Sequence, residues 1–303
     1  MKFKLVIIVA LLLLLNACTK KTADTPVAMI PERLKIVPEN ESMLIGGTLV
    51  FSVIYYNTLG DEAALPPGIV WSSSEPAIAT ISTNGTAIGK SEGQTEIKAT
   101  YKTTTAKALL TVAANSNTVA IVTINPAIKE LTLNESSTLT AVAKDVNGNT
   151  ITGKIFLWEA DNTPYATLNT ATGVVTAKEY GTTLITASTD GIKSSPAMIQ
   201  VIRTGNFAQM SSVGTAKLKI ENGLLVLQTS DNFAVATGPP DLRIYLGDNS
   251  DNINGAVEIA SLNDRTGMQS WSVPTTVAIT DYRYVIVWCK QFGGVYGVAD
   301  LGN

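Results

Sequence analysis

Residues 284–301 read YVIVWCKQFGGVYGVADL, with Cys289 at the end of an apolar run. A thiol can serve as a nucleophile, as a ligand, or as a redox group passing through sulfenic acid or a disulfide. The chain has 2 cysteines, Cys18 being the other, and no histidine. That excludes Cys-His and Ser-His-Asp nucleophiles, histidine general bases and the commonest metal ligand. With no histidine, the sulfur ligands open to a haem are Cys289, Met210 and Met268, and the chain has no C-x-x-C-H attachment motif. Asp241 follows Gly238-Pro239-Pro240 and precedes an apolar stretch, a place where a carboxylate caps a turn or accepts backbone amides. No second carboxylate at a telling spacing makes it half of a general acid and base pair.

The chemistry open to Cys289 depends on the strand that carries it. Side chains alternate along a strand, so Val285, Val287 and Cys289 share one face, and Ile286, Trp288 and Lys290 the other. Lys290 is therefore not beside the sulfur. Enclosed by valines, the thiol is an inert core residue. If the strand stops at Cys289, as the change to Lys290-Gln291 and then Gly293-Gly294 suggests, the sulfur lies at the mouth of a sandwich and can meet oxidant or a cofactor. Residues 284–288 are apolar on both faces and predict a central strand. Residues 217–220 and 224–228 flank Asn222-Gly223, a hairpin signal, and 242–246 predict a further strand.

Upstream, short stretches rich in Val, Ile, Thr and Ala alternate with Gly, Asn, Ser and Pro, an all-β signature. One pattern occurs twice, with Trp71 answering Trp158, Gly85 answering Gly173 and Gly93 answering Gly181. A period of about 87 residues is too long for a solenoid and suits an Ig-like sandwich. The two tryptophans are expected in the core, on central strands that face the other sheet. Gly85 and Gly173 sit in turns that need positive φ. Asp61, Glu62 and Asp145 lack the D-x-D-x-D-G spacing of a calcium loop and read as solvated surface charge.

The first copy, with its WSSSEPAIATIS, NGTAIG and EGQTEIKA stretches, resembles the bacterial Ig-like group 2 family. In the second copy Trp158-Glu159-Ala160-Asp161 replaces the serine run, and Asn134-Glu135 replaces Gly46-Gly47, so its assignment rests on spacing. Residues 207–301 resemble the DM13 domain, through Gly214-Thr215-Ala216, Gly238-Pro239-Pro240-Asp241 with its strand, Gly267-Met268-Gln269, Val273-Pro274 and the Trp288-Cys289 pair. That resemblance implies a β-sandwich related to DOMON domains, with the cysteine of the Trp-Cys pair in electron transfer or near a redox cofactor, and Trp288 and Asp241 as supporting motif residues.

The N-terminus, MKFKLVIIVALLLLLNACTKK, has Lys2 and Lys4, a short leucine-rich run and small residues before Cys18. The run is shorter than the roughly 20 residues of a membrane-spanning helix. It resembles a bacterial lipoprotein signal, which implies cleavage before Cys18 and lipid on that residue. Cys289 is then the single free thiol, and no intramolecular disulfide forms.

The expected organisation is a signal peptide over 1–17, a lipidated linker over 18–33, Ig-like domains over 34–114 and 119–203, and a DM13-like domain over 207–303. The fold class is all-β: tandem Ig-like sandwiches followed by a DM13-like sandwich. A net charge of −3 provides no basic surface for nucleic acid. The partner implied by Cys18 is a membrane, in the bacterial envelope at the outer membrane or cell surface. Two functions stay open: an envelope protein whose terminal domain uses Cys289 in electron transfer or cofactor contact, and a binding or adhesion lipoprotein in which Cys289 is buried. The Ig-like units imply spacing or adhesion without chemistry of their own.

Overall fold

The computed structural model describes residues 31–161, 164–209 and 212–302. The segment expected to be a signal peptide, Cys18 and Met210 lie outside the described residues. Every regular element among those described is a strand, as the alternating pattern predicts.

In the first Ig-like unit a four-stranded sheet runs Asn40–Leu44, Thr104–Ala113, Gly93–Tyr101, Val70–Ser73. Two three-stranded sheets complete the unit: Arg33–Val37 with Ser52–Tyr56 and Glu62–Ala63, and Thr48–Val50 with Thr86–Gly89 and Ala79–Ile81. Ile36, Met43, Phe51, Ala87, Ile97 and Leu110 bring all three sheets into one buried cluster. Such alternation of buried and exposed positions is what one apolar face per strand dictates.

The second unit repeats this arrangement. Its main sheet runs Ile128–Leu131, Ala197–Val201, Gly181–Thr189, Leu157–Ala160. The last strand, continuous in the first unit, is broken here into Ile192–Lys193 and Ala197–Val201 by Ser194-Ser195-Pro196.

The tryptophans pack inward as expected, but their strands lie at sheet edges and are not central. Val70–Ser73 and Leu157–Ala160 each end the strand order of their main sheet. The indole closes the flank of the sandwich over a glycine turn. Gly173 has φ +71°, and a Cβ there would lie 2.7 Å from the Trp158 ring; Gly85 has φ +81° and would place a Cβ 3.2 Å from Trp71. Both the left-handed backbone and the ring require glycine. Asn134, where the first copy has Gly46, takes the same left-handed conformation (φ +66° against +81°), which asparagine tolerates.

Asp145 corrects an expectation. Asp61 and Glu62 are exposed, but Asp145 is 7% exposed. Its carboxylate accepts the backbone N–H of Asn147 and of Asn149, both at 2.9 Å, and the Asn149 side chain at 3.0 Å. It is a buried turn cap because its own backbone turns through these residues.

Beyond residue 203 a single run of eight strands follows the order Val257–Ser261, Leu242–Gly247, Tyr284–Cys289, Gly294–Asp300, Arg203–Ala208, Thr215–Glu221, Leu224–Thr229, Ser270–Ser272. Strand Arg203–Ala208 serves both halves: Arg203–Asn206 pair with Thr215–Leu218, and Phe207–Ala208 with Val298–Ala299. At Gly205 a Cβ would run into the Asp300 carbonyl, so only glycine lets the strand cross from one layer to the other. The hairpin turn Asn222-Gly223 has φ of +51° and +79°, as an Asn-Gly turn favours. Tyr284–Cys289 is central, as its two apolar faces predict.

Candidate functional site

Strand Tyr284–Cys289 separates two environments. On the inner side Val285, Val287 and Cys289 join a buried cluster with Phe233, Val235, Leu242 and Leu262. On the outer side Ile286 and Tyr245 are buried, and Trp288 is partly buried against them. The alternation read from the sequence therefore holds along the whole strand.

Cys289 has no exposed surface at all, which decides between the two placements its sequence left open. It is the last residue of its strand, yet it does not lie at an open mouth. Leu242 pairs with it on one side and Gly294 on the other. Two backbone bonds close the end of the strand: Lys290 N–H to the Asp241 carbonyl at 2.9 Å, and Gly293 N–H to the Cys289 carbonyl at 2.9 Å. On Gly294–Asp300, Val287 faces Gly297 while Trp288 faces Val295, so Tyr296 is the extra residue of a bulge. Its ring packs on the inner cluster and comes within 4.0 Å of where a Gly294 Cβ would stand. Bulges re-aim a side chain, and here one turns an aromatic ring toward the position opposite the thiol.

The outer side carries a charged network. Asp241 does not cap backbone amides with its carboxylate, contrary to expectation; it pairs with Arg243, Nε to Oδ1 at 2.6 Å. The guanidinium sits two residues along the same strand face and wins over the amides because both partners are charged. Arg243 also donates to Glu258 at 3.0 Å. Glu258 further accepts from the Tyr245 hydroxyl at 2.8 Å and from Lys290 Nζ at 3.4 Å. Burial works to raise the Glu258 carboxyl, but the Tyr245 hydrogen bond and the Lys290 and Arg243 charges hold it below its usual value. Burial, followed by the bond to Glu258, pushes the Tyr245 hydroxyl up to about 12. Trp288 pairs across the sheet with Arg243, so Trp288 and Asp241 belong to this outer face while the sulfur belongs to the inner one. The sequence offered one sign of the network, the shared face of Trp288 and Lys290; Glu258 and Tyr245 came from strands whose neighbours it does not specify.

A haem ligated by Cys289 does not fit. The sulfur lies in a close-packed apolar cluster, and a packed interior has no room for a macrocycle. Met268 is 60% exposed, outside that cluster. Among the described residues the buried polar side-chain atoms without partners are at Asn40, Ser42 and Arg203, none of them in the Cys289 cluster. No group of three or more His, Cys, Asp or Glu able to hold a metal occurs among the described residues, and no helix there is long and apolar enough to cross a membrane.

The molecule thus belongs to the class of multidomain β-sandwich proteins in which repeated Ig-like units precede a different terminal sandwich. Within that class the chain joins a bacterial Ig-like domain (group 2), matched over residues 32–112, to an electron transfer DM13 domain, matched over residues 207–301. It is also similar to ice-binding protein 1 of Shewanella frigidimarina (strain NCIMB 400), 32% identical over 164 residues that make up 52% of this chain and 18% of that protein. The chain thus spans less than a fifth of that relative's length. Among solved structures, domains 5-6 of the S-layer protein SbsC are 23% identical, with a TM-score of 0.25 over 55% of this chain and 94% of that one. The Escherichia coli adhesin FdeC is 16% identical, with a TM-score of 0.22 over 91% of this chain and 99% of that one.

Proposed function

We propose that the chain is a membrane-anchored protein of the bacterial cell surface, lipidated at Cys18, in which two Ig-like units form a stalk for the DM13 domain, and that this terminal domain serves electron transfer with Cys289 as its redox group. The observation that carries the reading is where Cys289 lies relative to the stalk. Strand Arg203–Ala208 leads into the terminal sandwich directly after the second unit, and the hairpin carbonyl of Ile220 accepts from Gln200 of that unit at 3.2 Å. Tyr284 pairs with Asp300 near this end, and Cys289 pairs with Gly294 at the other end of the strand. At about 3.3 Å per residue the sulfur lies roughly 17 Å along the strand from the Tyr284 end, in the half of the domain away from the second unit.

The sealed thiol shapes the chemistry. Peroxide would oxidise it only after the Lys290–Gly293 turn opens: the sulfur attacks one peroxide oxygen, the O–O bond breaks, and sulfenic acid and water form. The test uses full-length protein from its native membrane, with thiol labelling in native and denatured states, an absorbance spectrum, and trapping of sulfenic acid after mild peroxide. Native labelling faster than the domain unfolds, or a visible chromophore, together with sulfenic-acid trapping at Cys289 that is lost in Cys289→Ser, supports the redox reading. Cys289→Ser should also cost about 1 to 3 kcal/mol, because a hydroxyl there lacks a partner.

The complete burial of Cys289 favours a second reading, a binding or adhesion protein whose cysteine only fills the core. A thiol silent to every reagent until the domain unfolds, in protein without a chromophore, would establish it. The anchor has its own test: Cys18→Ala should move the protein from the detergent phase to the aqueous phase.

A further inference from the structure

Each Ig-like unit carries, at the same place in its main sheet, a cross-strand pair of one glutamine and one threonine. In the first unit Gln94 faces Thr111; in the second Thr182 faces Gln200. Gln94 and Thr182 each follow the glycine that opens the long strand, Gly93 and Gly181. The glutamine has changed strands between the two copies, and the pair has stayed. In both copies it reaches the main chain of the next unit.

At the first junction Gln94 uses its whole amide. Its Nε2 donates to the Lys193 carbonyl at 2.9 Å and to Thr111 Oγ1 at 3.3 Å, and its Oε1 accepts the Lys193 N–H at 3.1 Å. A primary amide bonding both backbone groups of one residue imitates a neighbouring strand. Lys193 offers those groups because the last strand of the second unit breaks immediately after it. Its own sheet is served by the next residue: Ser194 N–H bonds the Ala187 carbonyl at 2.8 Å, and Ser194 Oγ accepts Ala187 N–H at 3.0 Å. At the second junction Gln200 Nε2 and Thr182 Oγ1 both donate to the Ile220 carbonyl, at 3.2 and 3.5 Å. Asn40 Nδ2 to the Val122 carbonyl at 3.2 Å, and the Lys217–Glu130 ion pair, stand beside the two clamps.

We infer that the Gln/Thr pair is the coupling device of this chain: a side-chain clamp, repeated at both junctions, that takes the backbone of the following unit and fixes the angle between units. It makes the two Ig-like units and the terminal sandwich one stiff rod. At the first junction it borders a cleft of about 830 Å³ lined by both units, where its amide bonds add a directional contact to the buried linker residues Ala113, Val119 and Ala120. The inference is independent of any redox role for Cys289.

Gln94→Ala in the full chain is the direct test, read by hydrogen exchange at the Lys193 amide and by small-angle scattering. Losing the acceptor should speed Lys193 exchange about tenfold and broaden the distribution of overall length, while the unfolding transitions of the separate units keep their midpoints. Gln94→Glu keeps an acceptor for the Lys193 N–H and loses the donor, and should restore part of the protection. Gln200→Met, which retains bulk without the amide, should broaden the scattering through the second junction. Lys193 exchange and scattering unchanged in Gln94→Ala would overturn the clamp. An unchanged profile in Gln200→Met would overturn its repetition at the second junction.

Discussion

The two Ig-like units share every strand pairing of their three sheets, and differ where their surroundings differ. Both close their flank with a tryptophan over a positive-φ glycine, and both cap the turn after the fourth strand with an Asx side chain. Asn57 in the first unit accepts Leu59 and Asp61 N–H at 2.9 and 3.1 Å; Asp145 accepts the matching amides in the second. Yet Trp158 is 4% exposed and Trp71 only partly buried, the cap is neutral in one copy and ionised in the other, and the last strand is whole in one and broken in the other. The strand pairings and the turn geometry repeat, while the exposure of the tryptophan, the charge of the cap and the continuity of the last strand differ between the copies.

The largest test of this view is the tryptophan pair. Trp158→Ala should cost about 3 to 5 kcal/mol, measured by denaturant unfolding, and Trp71→Ala less, in proportion to its lower burial. Equal losses would mean that exposure does not distinguish the copies. Next come the glycines beneath the rings. Gly173→Ala and Gly85→Ala should each cost about 2 to 4 kcal/mol, from strain at positive φ added to overpacking against the ring or the facing carbonyl. A large loss in one copy with none in the other would break the equivalence.

The Asx caps predict a difference in acid. Hydrogen bonds from the Asn149 side chain and from the Asn149, Asn147 and Gly148 amides outweigh burial and hold the Asp145 carboxyl below its usual value. Its stabilising contribution is therefore present above the ordinary carboxylate range near pH 4 and is lost as the pH falls through the lowered native value. The second unit should lose stability on acidification through this group, while Asn57 leaves the first unit without an equivalent. Asp145→Asn should flatten the second unit's acid limb; an unchanged limb would remove the cap as its cause. The smallest effect is expected for the Lys193–Glu159 ion pair, whose side chains are 48% and 54% exposed. Glu159→Gln should shift stability by less than about 0.5 kcal/mol, which separates the Lys193 backbone, held by Gln94, from its side chain.

Much of this organisation is legible from residue order. The Trp and Gly spacings reveal the repeat because a turn glycine and the ring above it lie only 14 or 15 residues apart, within one supersecondary unit. The Gln/Thr clamp was not legible, because its two members exchange strands between copies and its target lies in the next unit. The Asp145 cap escaped because a carboxylate among Asn and Gly looks the same whether its turn folds over it or leaves it in water. Asp241 was drawn away from backbone amides by Arg243, whose side chain the alternation places on the outer face without saying how far it bends back.

For the terminal domain, residue order alone determined that Cys289 shares a sheet face with Val285 and Val287, that Lys290 is turned away from it, and that Asn222-Gly223 reverses the chain. These follow from strand alternation and local backbone preference. Tertiary structure alone decided that the sulfur is sealed. Its cover comes from Phe233, Val235 and Leu262 in another part of the chain, from the strand partner Leu242, and from a bulge that swings Tyr296 inward. Alternation tells which side of a sheet a residue occupies, but how deep it lies depends on the layer laid over that side, and distant segments supply that layer.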